Sequence, residues 1–189
     1  MPRRRSLLIP QRLRVLFSCE GQSERAYGRW LHNRAEQAGL HVHIDARICR
    51  PPGGGDLLGL VHDTIAVINR AERDGVPYAV RGLLLDTDMR GRSNNRDQKA
   101  QLLARRHRLH IVWQEPDHEA FLLRHLLGFH AHRPAPGQSM AALRRQLPNY
   151  QKPWDANALE PVFDLEALRR AVQVEQALRE FLAALRWTP

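Results

Sequence analysis

Three acidic residues stand where apolar runs end. Glu20 closes "RVLFSCE" and is followed at once by Gly21, while Asp86 and Asp88 close "GLLLDTD". In extended geometry residues 86 and 88 point the same way. Two carboxylates so placed repel unless a proton or a cation neutralises them. With Glu20 from a neighbouring strand, three acids could surround a hard divalent cation of the magnesium type. The simpler alternative is that "DTDMRGRSNN", rich in turn formers, only begins a turn, and that Glu20 favours a helix N-terminus. A fourth acid, Glu24, follows one helical turn after Glu20; an exposed charge pairing with Arg25 would account for it equally.

Positioning such acids requires strands that end together. Residues 14–19 are short, apolar and partly β-branched or aromatic, as a buried strand requires. Ser23 can cap the helix that follows, on which Tyr27, Trp30 and Leu31 share one face, and Gly39 can end it. Residues 40–48, "LHVHIDARI", alternate as a second strand. "CRPPGGGD" breaks regular structure. Helical spacing returns over 57–72, and "YAVRGLLLDTD" (78–88) has the continuous apolar character of a central parallel strand. A helix over 97–108, a fourth strand "LHIVWQE" and a helix over 117–129 complete the alternation. This pattern predicts an α/β fold: a mostly parallel central sheet with helices on both faces and ligands beyond the carboxyl ends of its strands. Four segments are expected: a basic tail (1–11), the α/β core (12–130), an irregular insertion (131–163) containing the helix "SMAALRRQL", and one C-terminal helix, 165–187, within 164–189, packing on the core.

In this order and spacing, "CEGQSERAYGRWL" resembles the glutamate–glycine signature that opens a Toprim domain, and "GLLLDTD" resembles its DxD strand. More narrowly, "WQEPDHEAFLLRHL" followed by "LPNYQKPWD" is similar to the RloB-like branch, related in this domain to the overcoming-lysogenization-defect nucleases. The resemblance covers roughly residues 12–160 and implies a Toprim-like fold with a small irregular or helical C-terminal appendage. It implies Glu20 as general acid/base or metal ligand, Asp86 and Asp88 as a metal-binding pair, and Glu24 as a second acid serving another metal. Glu119 matches the acid that opens the following helix. Because this chain reads "HEAF" there, Glu115, Asp117 and Glu119 all stay open, and Asp117 could simply cap the helix. The implied cofactor is Mg²⁺ or Mn²⁺, and the implied activity is phosphodiester hydrolysis of DNA or RNA in bacterial antiviral defence. The alternative is a non-catalytic nucleic-acid-binding or regulatory module acting with a separate ATPase.

The composition is compatible with a polyanionic partner. Over 189 residues, 29 Lys+Arg face 20 Asp+Glu, for a net charge of +9. All but Lys99 and Lys152 of these cations are arginine, which forks onto phosphate oxygens; a GC-rich genome would produce the same Arg bias. Arg90 and Arg92, just after DxD, can hold phosphates, and Arg105, Arg106 and Arg108 form a candidate nucleic-acid face; solvated surface charges are the alternative for both. Lys152 can stabilise transition-state charge, and Tyr150 or Trp154 can stack on a base, though a structural role suits them better. The pairs His41/His43 and His130/His132 lack a zinc-site context. His125 fits a core position, leaving His118, beside Glu119, as the histidine of interest. Cys19 and Cys49 form no CxxC, and no apolar stretch reaches the roughly 20 residues of a membrane span. A cytoplasmic setting without a membrane partner is expected.

Overall fold

The computed structural model describes residues 11–49 and 55–189. Nearly all of the expected basic tail and most of the Pro/Gly-rich break, residues 50–54, lie outside the described residues. The first half of the chain alternates as β1 (Leu13–Cys19), α1 (Gln22–Gln37), β2 (Val42–Ile48), α2 (Leu57–Arg73), β3 (Val80–Asp86), α3 (Asn94–Arg106) and β4 (Leu109–Gln114). The four strands form one parallel sheet in the order β2-β1-β3-β4. From β1 the chain first steps outward to β2, then returns across the sheet to β3. The strand order therefore reverses between β1 and β3, where a crevice opens beyond the carboxyl ends. Glu20 follows β1 and Asp86 ends β3, so the topology brings both to that crevice.

Strand parity divides the core. Val15, Phe17 and Cys19 of β1, Leu84 of β3 and Val112 of β4 join one apolar cluster with Trp30 and Leu31 of α1. Leu83 and Leu85 face a second cluster built by α2 and α3, including Leu57, Leu60, Val61 and Ala104. Both faces of β3 are thus covered, which explains the uninterrupted "LLL" of its sequence.

The second half of the chain departs from expectation in three places. The helix expected over 117–129 is only α4 (His118–Leu123). His125 Nδ1 donates to the Phe121 carbonyl at 3.0 Å, and the amides of His125 and Leu126 turn instead to the carbonyls of Leu122 and Leu123, three residues back. This tightening ends the α-helix. Residues 131–163, expected as an irregular insertion or appendage, contain α5 (Ser139–Gln146) and the short α6 (Ala156–Leu159). Their Leu143, Tyr150, Leu159 and Phe163 are buried in the same cluster as Phe17 and Trp30, so this segment completes the main core. The single C-terminal helix is instead α7 (Leu165–Val174) and α8 (Gln176–Ala184), broken at Glu175. Glu175 turns its carboxylate inward to the fully buried Arg124, whose Nη1 also donates to the Glu115 carbonyl at 2.8 Å. Leaving a buried ion without its partner costs about 3–5 kcal/mol, enough to outweigh a helix interruption.

The C-terminal helix packs on the sheet through a close approach. A Cβ on Gly82 of β3 would stand 2.6 Å from the Phe181 ring, so α8 lies directly against the strand that carries Asp86. Phe181 also packs on Phe17, with ring centroids 5.5 Å apart.

Candidate active site

A cleft of about 640 Å³ opens at the crevice and is lined by Glu20, Glu24, Asp86, Asp88, Arg92 and Lys152, among others. Its first wall is the turn from β1 into α1. Ser23 does not cap this helix: Gln22 is its first residue, and Gly21 stands at the N-cap with no side-chain hydrogen bond. Glu24 is not an exposed helix charge either, for it is buried and folds back over the turn. A Cβ at position 21 would lie 2.5 Å from Glu24 Oε2, so glycine leaves room for the acid.

The second wall is the end of β3. The strand stops at Asp86, and Thr87–Met89 form a 3-10 turn. The expected extended geometry for 86 and 88 therefore fails, and the two acids separate in depth. The Thr87 hydroxyl donates to the Pro116 carbonyl at 3.1 Å and anchors the turn to the loop after β4. Asp88 is exposed and accepts from Arg92 Nη2 at 3.1 Å. Asp86 Oδ1 is buried and has no hydrogen-bond partner.

The third wall is Lys152 and Pro153, backed by α4 and Tyr150. Asp117 caps α4, its Oδ1 accepting from the Ala120 amide at 2.9 Å. Glu115 contributes its backbone carbonyl to Arg124. Glu119 is the buried acid of the three, and its Oε1 receives the Tyr150 hydroxyl at 2.9 Å and Lys152 Nζ at 3.0 Å. Position sets these three residues apart: Asp117 caps, Glu115 lends its backbone, and Glu119 pairs with Lys152. Tyr150 is too deeply buried to stack on a base; it orients Glu119. His118, also buried, pairs its Nδ1 with the Gln114 side-chain amide, 2.6 Å away. His125 is a core residue, its Nε2 bonded to the Tyr27 hydroxyl at 3.0 Å.

The electrostatics show two tiers. Burial, followed by the charges of Glu24, Asp117 and Glu119, pushes Asp86 up from 3.8 to about 8, against the pull of Lys152. Glu20 is raised by its own burial and then by Glu24 and Asp88, with Arg92 and Lys152 opposing. Asp86 and Glu119 thus lie deep, Glu20, Asp88 and Arg92 stand at the rim, the exposed Lys152 reaches down to Glu119, and Glu24 acts on both levels. Burial would raise Glu119, but His118, Lys152 and Tyr150 together hold it below the ordinary carboxylate value. Burial would lower Lys152, yet Glu119, Glu24 and Asp86 raise it, so it stays charged.

Among the described residues, no three His, Cys, Asp or Glu side chains are gathered as a ready-made cage for a metal ion. The expected trio of Glu20, Asp86 and Asp88 shares one cleft but is divided between its tiers, as repulsion between like charges favours. The residues nonetheless suit a hard divalent cation. Asp86 presents an unpartnered buried oxygen beside Glu24, and a cation is what would return it to the ionised form.

The arginines expected to hold nucleic acid do not converge. Arg92 lines the cleft, but Arg90 lies over the Trp113 ring, 3.7 Å from its centroid. Arg105 and Arg106 end α3, and Arg108, at φ 50°, directly precedes β4. All three therefore sit at the amino ends of the strands, a strand length from the cleft. Ser23 and Gly21 belong to the cleft in ways their residue types did not reveal; a glutamate at N3 of a helix opened by glycine was the available signal. The chain matches no protein-family model, no curated protein and no solved structure.

Proposed function

We propose that this chain is a Toprim-class, RloB-like nuclease that hydrolyses phosphodiester bonds of DNA or RNA with Mg²⁺ or Mn²⁺, in defence against phage. The observation that carries the proposal is the buried, unpartnered Asp86 oxygen in a cleft of acids at the strand-order reversal. Asp86 and Glu24 would hold a cation in the deep tier, with Glu20 and Asp88 contributing at the rim. A bound divalent cation supplies polarisation of the phosphodiester and an activated water. The chain's own groups supply the rest. Lys152, kept charged by Glu119, can neutralise charge building on the phosphoryl oxygens. Glu20, with its proton affinity raised by burial and by Glu24, suits proton transfer at the rim. Tyr150 holds Glu119, and through it Lys152, in place. The +9 net charge supports a polyanionic substrate.

The test is cleavage of labelled single- and double-stranded DNA and RNA with Mg²⁺ or Mn²⁺. Wild-type protein should cut at least one, and Asp86→Ala should lose at least about 10³-fold while keeping its circular dichroism. Nucleic-acid binding that survives Asp86→Ala, without cleavage by wild type under either metal, would replace the nuclease with a binding module serving a separate ATPase.

A further inference from the structure

The acid cleft cannot itself grip a polyanion. It gathers Glu20, Glu24, Asp86 and Asp88 against Arg92 and Lys152, and Arg92 is already paired with Asp88. A negatively charged strand entering it needs an electropositive surface next to it on which the flanking phosphates can rest.

A smaller groove of about 110 Å³ adjoins the cleft and shares Gln22 and Pro153 with it. Arg25 and Arg29 form one side and Trp154 and Asp155 the other. The two arginines are four apart on α1, so they project side by side about 5–6 Å apart at their Cβ atoms. Most arginines near acids in this protein are engaged: Arg12, Arg34, Arg47, Arg81, Arg96 and Arg124 all pair with carboxylates. Arg25 and Arg29 form no ion pair with a described residue, although the cleft acids begin one residue away at Glu24. The one acid of the groove, Asp155, already caps α6 by accepting from the Ala158 amide at 2.9 Å. Trp154 is half-buried, its ring edge-on to Tyr150, and offers an apolar wall for a sugar or base.

We infer that the Arg25–Arg29 groove is the backbone-binding subsite of the enzyme, holding the phosphates of a nucleic-acid strand on one side of the bond cleaved in the acid cleft. The inference rests on the nuclease assignment and adds the path of the substrate. The strand crosses the first turn of α1 at Gln22 and passes Pro153, so Lys152 and Trp154, two residues apart, meet neighbouring parts of the same strand.

Binding of fluorescein-labelled oligonucleotides to full-length protein in EDTA, followed by anisotropy over a salt series, tests it. Arg25→Ala/Arg29→Ala should weaken binding about tenfold or more and flatten the log–log salt slope by about 1.4, two phosphate contacts on a single strand. Arg25→Lys/Arg29→Lys should recover most of both. Arg105→Ala/Arg106→Ala removes the same charge from the far end of the sheet and should cost much less. Equal losses in the two alanine pairs, or an unchanged slope in the first, would overturn the subsite. Unchanged binding in Arg25→Ala/Arg29→Ala beside intact wild-type cleavage would overturn the subsite alone. A wild-type chain that neither binds nor cuts any oligonucleotide would overturn the nuclease assignment with it.

Discussion

Asp86 carries the largest consequence of any single residue in the site, because its carboxyl is driven up from 3.8 to about 8 by burial first and by neighbouring acids second. The sign of the stability effect follows from proton counting. Between these two values the metal-free folded chain holds a proton on Asp86 that the unfolded chain has released. Folding stability from this group is therefore complete below about pH 4 and is lost as the pH rises toward 8. With each pKa unit equal to about 1.36 kcal/mol, the loss is at most about 6 kcal/mol. Asp86→Asn should remove the penalty. In EDTA at pH 8 its Tm should exceed that of wild type, and the gap should close toward pH 5. Added Mg²⁺ should raise the wild-type Tm by mass action and leave the variant unmoved. A variant that melts below wild type at pH 8 in EDTA would show that the buried oxygen is not penalised. The choice among Glu115, Asp117 and Glu119, all acidic within five residues, also belongs to this scale. Composition treats them alike, whereas the fold makes one a cap, one a backbone acceptor and one the partner of Lys152.

The β1–α1 turn shows how one element builds two features of the site. Gly21 opens the helix without a side-chain cap, and the room left by its missing Cβ is taken by Glu24. Gly21→Ala should therefore act on the site more than on the fold. The added methyl displaces the Glu24 carboxylate, and Mn²⁺ affinity by calorimetry should fall about tenfold, or 1.4 kcal/mol, with little change in Tm. In a Glu24→Gln background the same substitution should add almost nothing, because the two changes act through one carboxylate. Additive losses would place the effect of Gly21 elsewhere. The strand ends were legible from local pattern: β1 and β3 each begin within two residues of the expected positions, because continuous apolar runs suit strands covered on both faces. The ends of α5 were legible too, but the end of α4 and the break between α7 and α8 were not. His125 and Glu175 turn inward to partners 98 and 51 residues away in sequence, and these long-range bonds override local helical spacing.

At the scale of the molecule, the C-terminal segment is part of the wall behind the site. Phe181 closes over Gly82 and Phe17, and Leu178 and Leu182 are buried with them. Removing residues 164–189 would expose this face of β1 and β3 to water and strand Arg124 without Glu175. The truncated chain should be insoluble, or compact without a cooperative melting transition. A soluble truncation that melts within a few degrees of the full chain would show the segment to be dispensable for folding. The same frame separates charge by location, with the acids and Lys152 beyond the carboxyl ends of the strands and Arg105, Arg106 and Arg108 at the amino ends. Net charge alone could not distinguish these poles.

From the sequence alone came the alternation of strand and helix, the parallel sheet, and the placing of Glu20 and Asp86 at strand ends. Each rests on periodicity and turn chemistry, which act between residues close in sequence. The tertiary structure alone decided that Glu24 is buried, that Asp88 leaves the strand for the rim, and that Tyr150 and Lys152 close on Glu119. It also decided that residues 131–163 belong to the core. These outcomes depend on which side chains meet across 30 or more residues of chain. Burial and like-charge repulsion then set the protonation and the depth of each acid, and neither quantity exists until the fold has brought the groups together.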